Sequence, residues 1–360
     1  MGKKTAIIHD WLNGMRGGEK VLEELLVIFP EADIFTLFLE EDKISDLIKS
    51  HRIFTSSLNR FNFIKKRYRN FLPMFPSAIE EFDLGEYETI ISSSHCVAKG
   101  IIPFPDSTHI SYLHSPMRYA WDQYYSYFGK LKGLKKSFIK SRISKLRMWD
   151  VTSSNRVDHF IANSNFVKER IWKYYKRESV VIHPPVDTEF FTPGEDSRDE
   201  YFLTVSALVP YKRVNLLIEA FNITGKRLII VGKGPEEKHL KKIAGNNIEF
   251  RKDLAAEELK VLFQKSRAFV YSGIEDFGIT FAEAHCCGTP VISYGKGGVL
   301  DIVDDSNGIL FEDQSAGGIV DALEKFENLK FDALKIRKSG ERFSRENFRK
   351  DFNRFTKDEL

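Results

Sequence analysis

One alternation runs along nearly this whole chain and limits what it can fold into: a short apolar run, a stretch with helical spacing, then another apolar run. Strand-like runs fall at residues 5–9, 34–38, 89–92, 109–113, 159–162 and 180–182. They recur at 202–206, 227–231, 248–250, 268–271, 291–293 and 308–311. Helical patterns separate most of them, as at 19–29, 165–175, 214–221 and 257–265. Strands that alternate with helices imply parallel sheets covered on both faces. With 360 residues the chain exceeds one ordinary core and suits two. The twelve runs divide at Pro184-Pro185, where a double proline forbids continued helix and reads as a linker. The expected class is therefore α/β, with two Rossmann-like domains, 1–183 and 184–342, facing each other across a cleft. The remaining segment, 343–360, reads as a charged helix with Phe343, Phe348, Phe352 and Phe355 near helical spacing.

Open parallel sheets bind ligands outside the carboxyl ends of their strands. The polar positions of interest lie there: His9, Asp10, Ser92 to His95, His114, Asn163, Lys212, Gly232 and Glu275. The densest cluster starts at Glu275, just past a strand. Phe277, Gly278, Ile279 and Thr280 follow and open a helix that carries Glu283 roughly two turns in, and Gly288-Thr289-Pro290 closes it. A helix starting directly after a strand aims free amides into the crevice, which seats a phosphate or a sugar hydroxyl. Carboxylates only accept hydrogen bonds, so Glu275 and Glu283 call for hydroxyl donors, as on sugars and riboses. Taken singly, Glu275 reads as a solvated loop acid and Glu283 as an exposed helix residue. Taken together with the motif around them, they read as a site.

Lys212 and Arg213 precede another helix, where the dipole disfavours cations, and an anionic diphosphate between them removes the conflict. The alternative is an exposed pair in water. Gly232 sits in a second strand-end turn suited to a base or phosphate. Gly17 and Gly18 form a turn whose amides precede a helix, although an ordinary strand-to-helix turn accounts for them equally. His114 ends an apolar strand and Ser115-Pro116 turns the chain after it. It is expected to face the cleft, against the alternative of a buried, satisfied imidazole.

Three cysteines form neither a disulfide framework nor a zinc pattern, which suits a reducing compartment. The amino-terminal apolar run is too short for a signal peptide, and no apolar run approaches a membrane span. Net charge is only +3, but residues 130–147 hold eight basic side chains and no acidic one, interleaved with apolar residues. A second basic-aromatic stretch, 60–71, contains Lys65, Lys66, Arg67, Tyr68 and Arg69. Such stretches read first as an anionic membrane surface contact and next as a solvated face. No nucleic-acid motif accompanies them, so no nucleic acid is expected as a partner.

Together these residues resemble the retaining glycosyltransferases of family 4, which have the two-Rossmann GT-B fold. The resemblance covers nearly the whole chain. Glu275 to Glu283 matches the family's Glu-x7-Glu motif, Lys212 its diphosphate lysine, and Gly17-Gly18 its amino-terminal glycine loop. The opening at 9–12 and the segment 114–122 resemble a bacterial subgroup that builds surface polysaccharides and includes mannosyltransferases using GDP-mannose. One departure is Ala207, where the family usually has an arginine, with Arg213 as the inferred replacement. The resemblance implies a hexosyltransferase in which Glu275 orients the donor sugar, Glu283 binds the ribose and His114 binds outer hydroxyls. Lys212, Arg213 and the amides of residues 277–280 would hold the diphosphate, capped by Gly17 and Gly18. Domain 1–183 would then serve the acceptor and 184–342 the nucleotide-sugar, with 343–360 returning to the first. It further implies no cofactor and no metal, a lipid-linked oligosaccharide acceptor, and a cytoplasmic enzyme peripheral on the inner face of the plasma membrane. A nucleotide-sugar epimerase, a phosphorylase and a non-catalytic nucleotide-sugar binder are the alternatives, the last motivated by Ala207.

Overall fold

A computed structural model describes residues 4–129, 131–195 and 197–359. The chain divides into two compact units, Met1–Pro185 with Phe348–Leu360, and Val186–Asn347. In the first, β1 (Thr5–His9), β2 (Asp33–Thr36), β3 (Ile53–Thr55), β4 (Thr89–Ser94), β5 (Thr108–Leu113), β6 (His159–Ala162) and β7 (Val180–Val181) form one sheet. Its order is β3-β2-β1-β4-β5-β6-β7, with every neighbouring pair parallel. Successive side chains of a strand point to opposite faces. Accordingly Ala6 and Ile8 enter one core with Phe35 and Ile90, while Ile7 enters the other with Ile34, Ile91 and Ile110. The second of these cores is completed by the carboxy-terminal helix Arg345–Glu359. Its Phe348, Phe352 and Phe355, spaced four and three apart, share one helix face and are buried beside Leu22 and Leu25. Each such phenylalanine contributes roughly 1.5–3 kcal/mol by leaving water.

The second unit contains β8 (Tyr201–Val205), β9 (Arg227–Val231), β10 (Ile248–Arg251), β11 (Phe269–Tyr271), β12 (Val291–Tyr294) and β13 (Gly308–Phe311). All pairs are again parallel, in the order β10-β9-β8-β11-β12-β13. Both units are thus α/β with Rossmann-type sheets, and in each the strand order reverses beside the first strand. The crevice at such a reversal, above the carboxyl ends, is where open α/β sheets take their ligands. In the first unit it lies between β1 and β4, in the second between β8 and β11.

Two features differ from the sequence reading. The edge strand β3 was not expected, because three half-buried residues carry too short a pattern to register. Phe343 does not share the fate of the later phenylalanines. It packs edge-on against Phe277 at 5.2 Å between ring centres, and its carbonyl accepts from the Val186 amide at 2.8 Å, both inside the second unit.

Candidate functional site

In the second unit, β11 delivers Tyr271 and the turn Ser272-Gly273 to the crevice, followed by Glu275. From β8 the chain reaches Lys212 at the end of the short turn Pro210–Lys212. The Ser272 hydroxyl ties the two loops together, donating to the Arg213 carbonyl at 2.8 Å. The result is a three-residue group: the Lys212 ammonium and the Tyr271 hydroxyl both donate to the same carboxylate oxygen of Glu275. Lys212 is buried to 7 % exposure, and its ammonium also lies 5.2 Å from the Tyr211 ring centre and 5.8 Å from that of Tyr271. A cation taken this far from water needs a partner, and Glu275 is one. The backbone of Glu275 is held as well: its carbonyl accepts from Gly298 at 2.9 Å, and it bridges Gly297.

The helix that follows is Ile279–Cys286. Gly278 opens it at φ +93°, and a side-chain carbon there would sit 2.4 Å from the Phe281 ring, so no other residue fits. The Phe277 side chain is buried against Phe343, which leaves only its backbone to meet a ligand. Ile279 and Thr280 are half-buried. Glu283 is the fifth residue of this helix, a little over one turn in rather than two, and at 5 % exposure it is not the exposed acid of the simpler reading. Arg213 is exposed, with a left-handed backbone at φ +56°, and begins the helix Val214–Thr224. Ala207 is exposed as well. Gly232 has a backbone reason of its own: a Cβ would lie 1.9 Å from the Ser206 carbonyl oxygen.

In the first unit, Gly17 and Gly18 are the first two residues of the helix Gly17–Ile28 rather than a loop ahead of it. Glu19 caps that helix, accepting from the Arg16 amide at 2.9 Å. A Cβ on Gly18 would lie 3.4 Å from His9 and 3.7 Å from His114, so the glycine leaves room beside both imidazoles. His114 is half-buried, its Nε2 lies 2.8 Å from the Ser93 hydroxyl, and the same hydroxyl lies 3.1 Å from His9 Nδ1. Burial, then the neighbouring His95 and His9, push the His114 imidazole well below its ordinary range, so it is neutral near pH 7. Asp10 is occupied structurally: its carboxylate accepts from the amides of His95, Cys96, Val97 and Ala98 at 2.6–2.9 Å and faces His95 Nδ1 at 3.1 Å. It fixes the turn after β4.

His114, Gly17 and Gly18 therefore lie in the first unit, and the remaining proposed site residues in the second. Sequence reasoning missed Tyr271, which read as a strand residue, and the Gly297-Gly298 turn beneath Glu275. The available signal was its position, past the end of β12, like the glycine turns that were singled out. Among the described residues, no three His, Cys, Asp or Glu side chains are grouped to hold a metal ion, and no helix is long and apolar enough to cross a membrane. Residues 133–147 of the basic stretch form the first part of the helix Gly133–Ser154. Leu134 and Phe138 on it are 91 % and 58 % exposed, while Ile143 and Leu146 are buried. Lys130 and the side chains of Lys66 and Arg69 lie outside the described residues.

Two family models match this chain. One, for glycosyl transferases group 1, covers residues 185–343, and the other, for glycosyltransferase family 4, covers residues 21–190. The chain belongs to the family 4 glycosyltransferases. A probable sucrose-phosphate synthase of Thermosipho melanesiensis is 31% identical over 209 residues, covering 52% of this chain and 46% of that protein. A GDP-mannose-dependent alpha-(1-6)-phosphatidylinositol monomannoside mannosyltransferase of Mycobacterium tuberculosis is 27% identical over 172 residues, 39% of this chain and 45% of that one. The chain thus spans about half the length of these curated relatives. Among solved structures, the apo form of the lipopolysaccharide outer core galactosyltransferase WaaB superposes with a TM-score of 0.68 at 18% identity, covering 99% of this chain and 100% of that one. The fold is of the GT-B type.

Proposed function

We propose that this protein is a retaining hexosyltransferase that moves a sugar from a nucleotide diphosphate to a lipid-linked saccharide in bacterial surface polysaccharide synthesis. The observation that carries the reading is the Lys212–Glu275–Tyr271 group at the strand reversal of the second sheet, beside the amino end of the helix Ile279–Cys286. Mannose from GDP-mannose is the donor favoured by the mannosyltransferase relative and by the resemblance of segments 9–12 and 114–122. The phosphatidylinositol-based acceptor in that relative's name, and the lipopolysaccharide in that of the structural neighbour, support an acceptor at a membrane.

In the reaction the bond from the anomeric carbon to the diphosphate oxygen breaks, and its electron pair leaves with the diphosphate. The acceptor oxygen bonds to the same face of that carbon, and its proton passes to the departing phosphate. Charge therefore grows on the diphosphate as an oxocarbenium-like sugar forms, and fixed cations and amides stabilise that change. Lys212 supplies a cation already oriented by Glu275 and Tyr271. Arg213 and the amides of residues 277–280 supply the rest. Glu275 orients the donor sugar, Glu283 serves the ribose, and His114 with Gly17 and Gly18 serves the outer hydroxyls and the diphosphate. No metal is assigned a role.

Thermal shift with a panel of nucleotide sugars, followed by an assay for nucleotide diphosphate release, tests this reading. GDP-mannose is expected to raise the melting temperature most, since a ligand of the folded state alone stabilises it. Release is expected with wild type and to fall about tenfold to a hundredfold in Glu275→Gln, the cost of one charge-assisted hydrogen bond. Stabilisation by a UDP-sugar instead would overturn the donor, and binding without release in the presence of acceptors would leave a nucleotide-sugar binder, the reading that the exposed Ala207 favours.

A further inference from the structure

Glu19, His9, Ser93 and His114 stand in a row at the carboxyl ends of β1, β4 and β5. The Glu19 carboxylate is 3.9 Å from His9 Nε2, His9 Nδ1 is 3.1 Å from the Ser93 hydroxyl, and that hydroxyl is 2.8 Å from His114 Nε2. His9, Ser93 and Glu19 are exposed by 4 % or less, whereas His114 is only half-buried. We propose that Glu19, His9 and Ser93 form a positioning relay that holds His114 as its Nε2–H tautomer, so that Nδ1 is presented as an acceptor to a ligand hydroxyl.

The argument is one of proton counting. A serine hydroxyl has one hydrogen, so between two imidazole nitrogens it donates to one and accepts from the other. The tautomers of His9 and His114 are therefore locked together. If His9 carries its proton on Nε2, its Nδ1 accepts from Ser93, and the Ser93 oxygen must accept from His114 Nε2–H. If His9 carries it on Nδ1, every bond reverses and His114 is protonated on Nδ1. Glu19 decides between them. His9 Nε2 is buried and has no hydrogen-bond partner among the described residues. A carboxylate oxygen, which only accepts, stands beside it and favours a proton there. Burial tends to raise the Glu19 carboxyl, but the His9 interactions, then its own backbone amide and His95, outweigh it, so its pKa lies below the ordinary range and it is ionised near pH 7. His95, the remaining imidazole of the cluster, is turned to Asp10 and takes no part. The buried members of the relay thus fix the polarity of its half-buried imidazole, His114.

Taking a sugar hydroxyl as the partner of Nδ1 rests on the proposed function, but the tautomer is readable in the unliganded protein. Two-bond proton–nitrogen NMR correlations on histidine-labelled protein at pH 7.5 identify it directly. Wild type is expected to show His114 protonated on Nε2. Glu19→Gln is the discriminating variant. Its carbonyl oxygen can keep the cap on the Arg16 amide, so its amino group is left to donate to His9 Nε2. The relay then reverses and His114 appears protonated on Nδ1, with turnover down about fivefold to tenfold, the loss of roughly one hydrogen bond. In a Ser93→Ala background, Glu19→Gln is expected to leave His114 unmoved. An Nδ1–H His114 in wild type, or the same tautomer before and after Glu19→Gln, overturns the proposal, since a merely structural Glu19 would lower stability and not switch a distant imidazole. A tautomer that switches in a protein that handles no nucleotide sugar would uphold the relay and remove the functional reading.

Discussion

Lys212 and Arg213 are neighbours in sequence but not in environment, and their roles separate accordingly. Lys212 is buried and held by Glu275; Arg213 is exposed on a left-handed backbone. Lys212→Ala removes a placed cation and leaves the Glu275 carboxylate without that partner. Nucleoside diphosphate affinity, measured by calorimetry, is expected to drop by about a hundredfold, on the scale of a charge-assisted bond. Arg213→Ala is expected to cost about tenfold or less, because a solvated guanidinium contributes less. Affinity for the nucleoside without phosphates should be unchanged in both; equal losses for both ligands would mean that these side chains support the fold instead. Two other buried residues contribute to the acid limit of stability. His109, bonded to Ser92 Oγ at 2.9 Å and the Arg156 carbonyl at 3.1 Å, is pushed by burial down to about 4, and His285, by burial and then Arg342, to about 3. Below the ordinary value of 6.5 the unfolded chain takes up protons that the folded one refuses, so stability is full above that pH and falls as pH drops toward 4. Each histidine accounts for on the order of 3–5 kcal/mol across its window. Urea midpoints of His109→Gln between pH 7 and 4.5 should fall less steeply than those of wild type, and parallel slopes would refute the assignment.

At the scale of elements, what was legible in the sequence followed from how strongly each element was patterned. Strands buried on both faces, such as β11 and β12, leave near-continuous apolar runs, and their order and type were readable. The edge strand β3 and the first turn of the helix Gly17–Ile28 were not, since three half-buried residues or two glycines leave no period to detect. The candidate site was legible as strand-end positions: Glu275, Lys212 and His114 were singled out that way. The partners that orient them were less so: Tyr271 and Glu19 look like ordinary strand and helix residues, and Ser93, although a strand-end position, carries no sign of its partners until the sheet sets them side by side. Phe343 shows the same limit, since spacing grouped it with Phe348 and only packing separates them. The helix Arg345–Glu359 makes this testable. Phe352 is fully buried in a core with Ile7, Leu22 and Leu25, and Phe29 meets its ring edge-on at 6.2 Å. Phe352→Ala is expected to destabilise the first unit by about 3–5 kcal/mol. Leu334→Ala, at a 75 % exposed position, should shift stability by no more than about 0.5 kcal/mol. Similar melting temperatures for the two variants would show that this helix is not part of the first unit's core.

For the molecule as a whole, net charge is a poor guide, because +3 spread over 360 residues conceals its concentration in one unit. The helix Gly133–Ser154 carries Lys135, Lys136, Lys140, Arg142, Lys145 and Arg147, with Leu134 and Phe138 one turn apart and exposed. The segment Tyr68–Met74 packs on the same core as that helix through Phe71 and Leu72, and Phe63, 57 % exposed, lies against Phe71 at 5.5 Å. Cationic and exposed apolar side chains are therefore joined in the first unit. Exposed phenylalanine and leucine gain little in water, whereas at an anionic leaflet each nearby Lys or Arg adds about 1 kcal/mol and the apolar side chains insert. The full chain is expected to sediment with anionic vesicles and not with neutral ones. Raising salt from 0.05 to about 0.5 M should release it, as the screening length shrinks below the spacing of the charges. Leu134→Ser with Phe138→Ser should weaken the attachment that survives moderate salt, while Lys135→Glu with Lys136→Glu should weaken it most at low salt, where the charges are least screened. Both pairs sit on exposed positions and should leave the melting temperature unchanged. Equal sedimentation with neutral and anionic vesicles, or none with either, would return the basic helix to a solvated face and leave a soluble acceptor as good a candidate as a lipid-linked one.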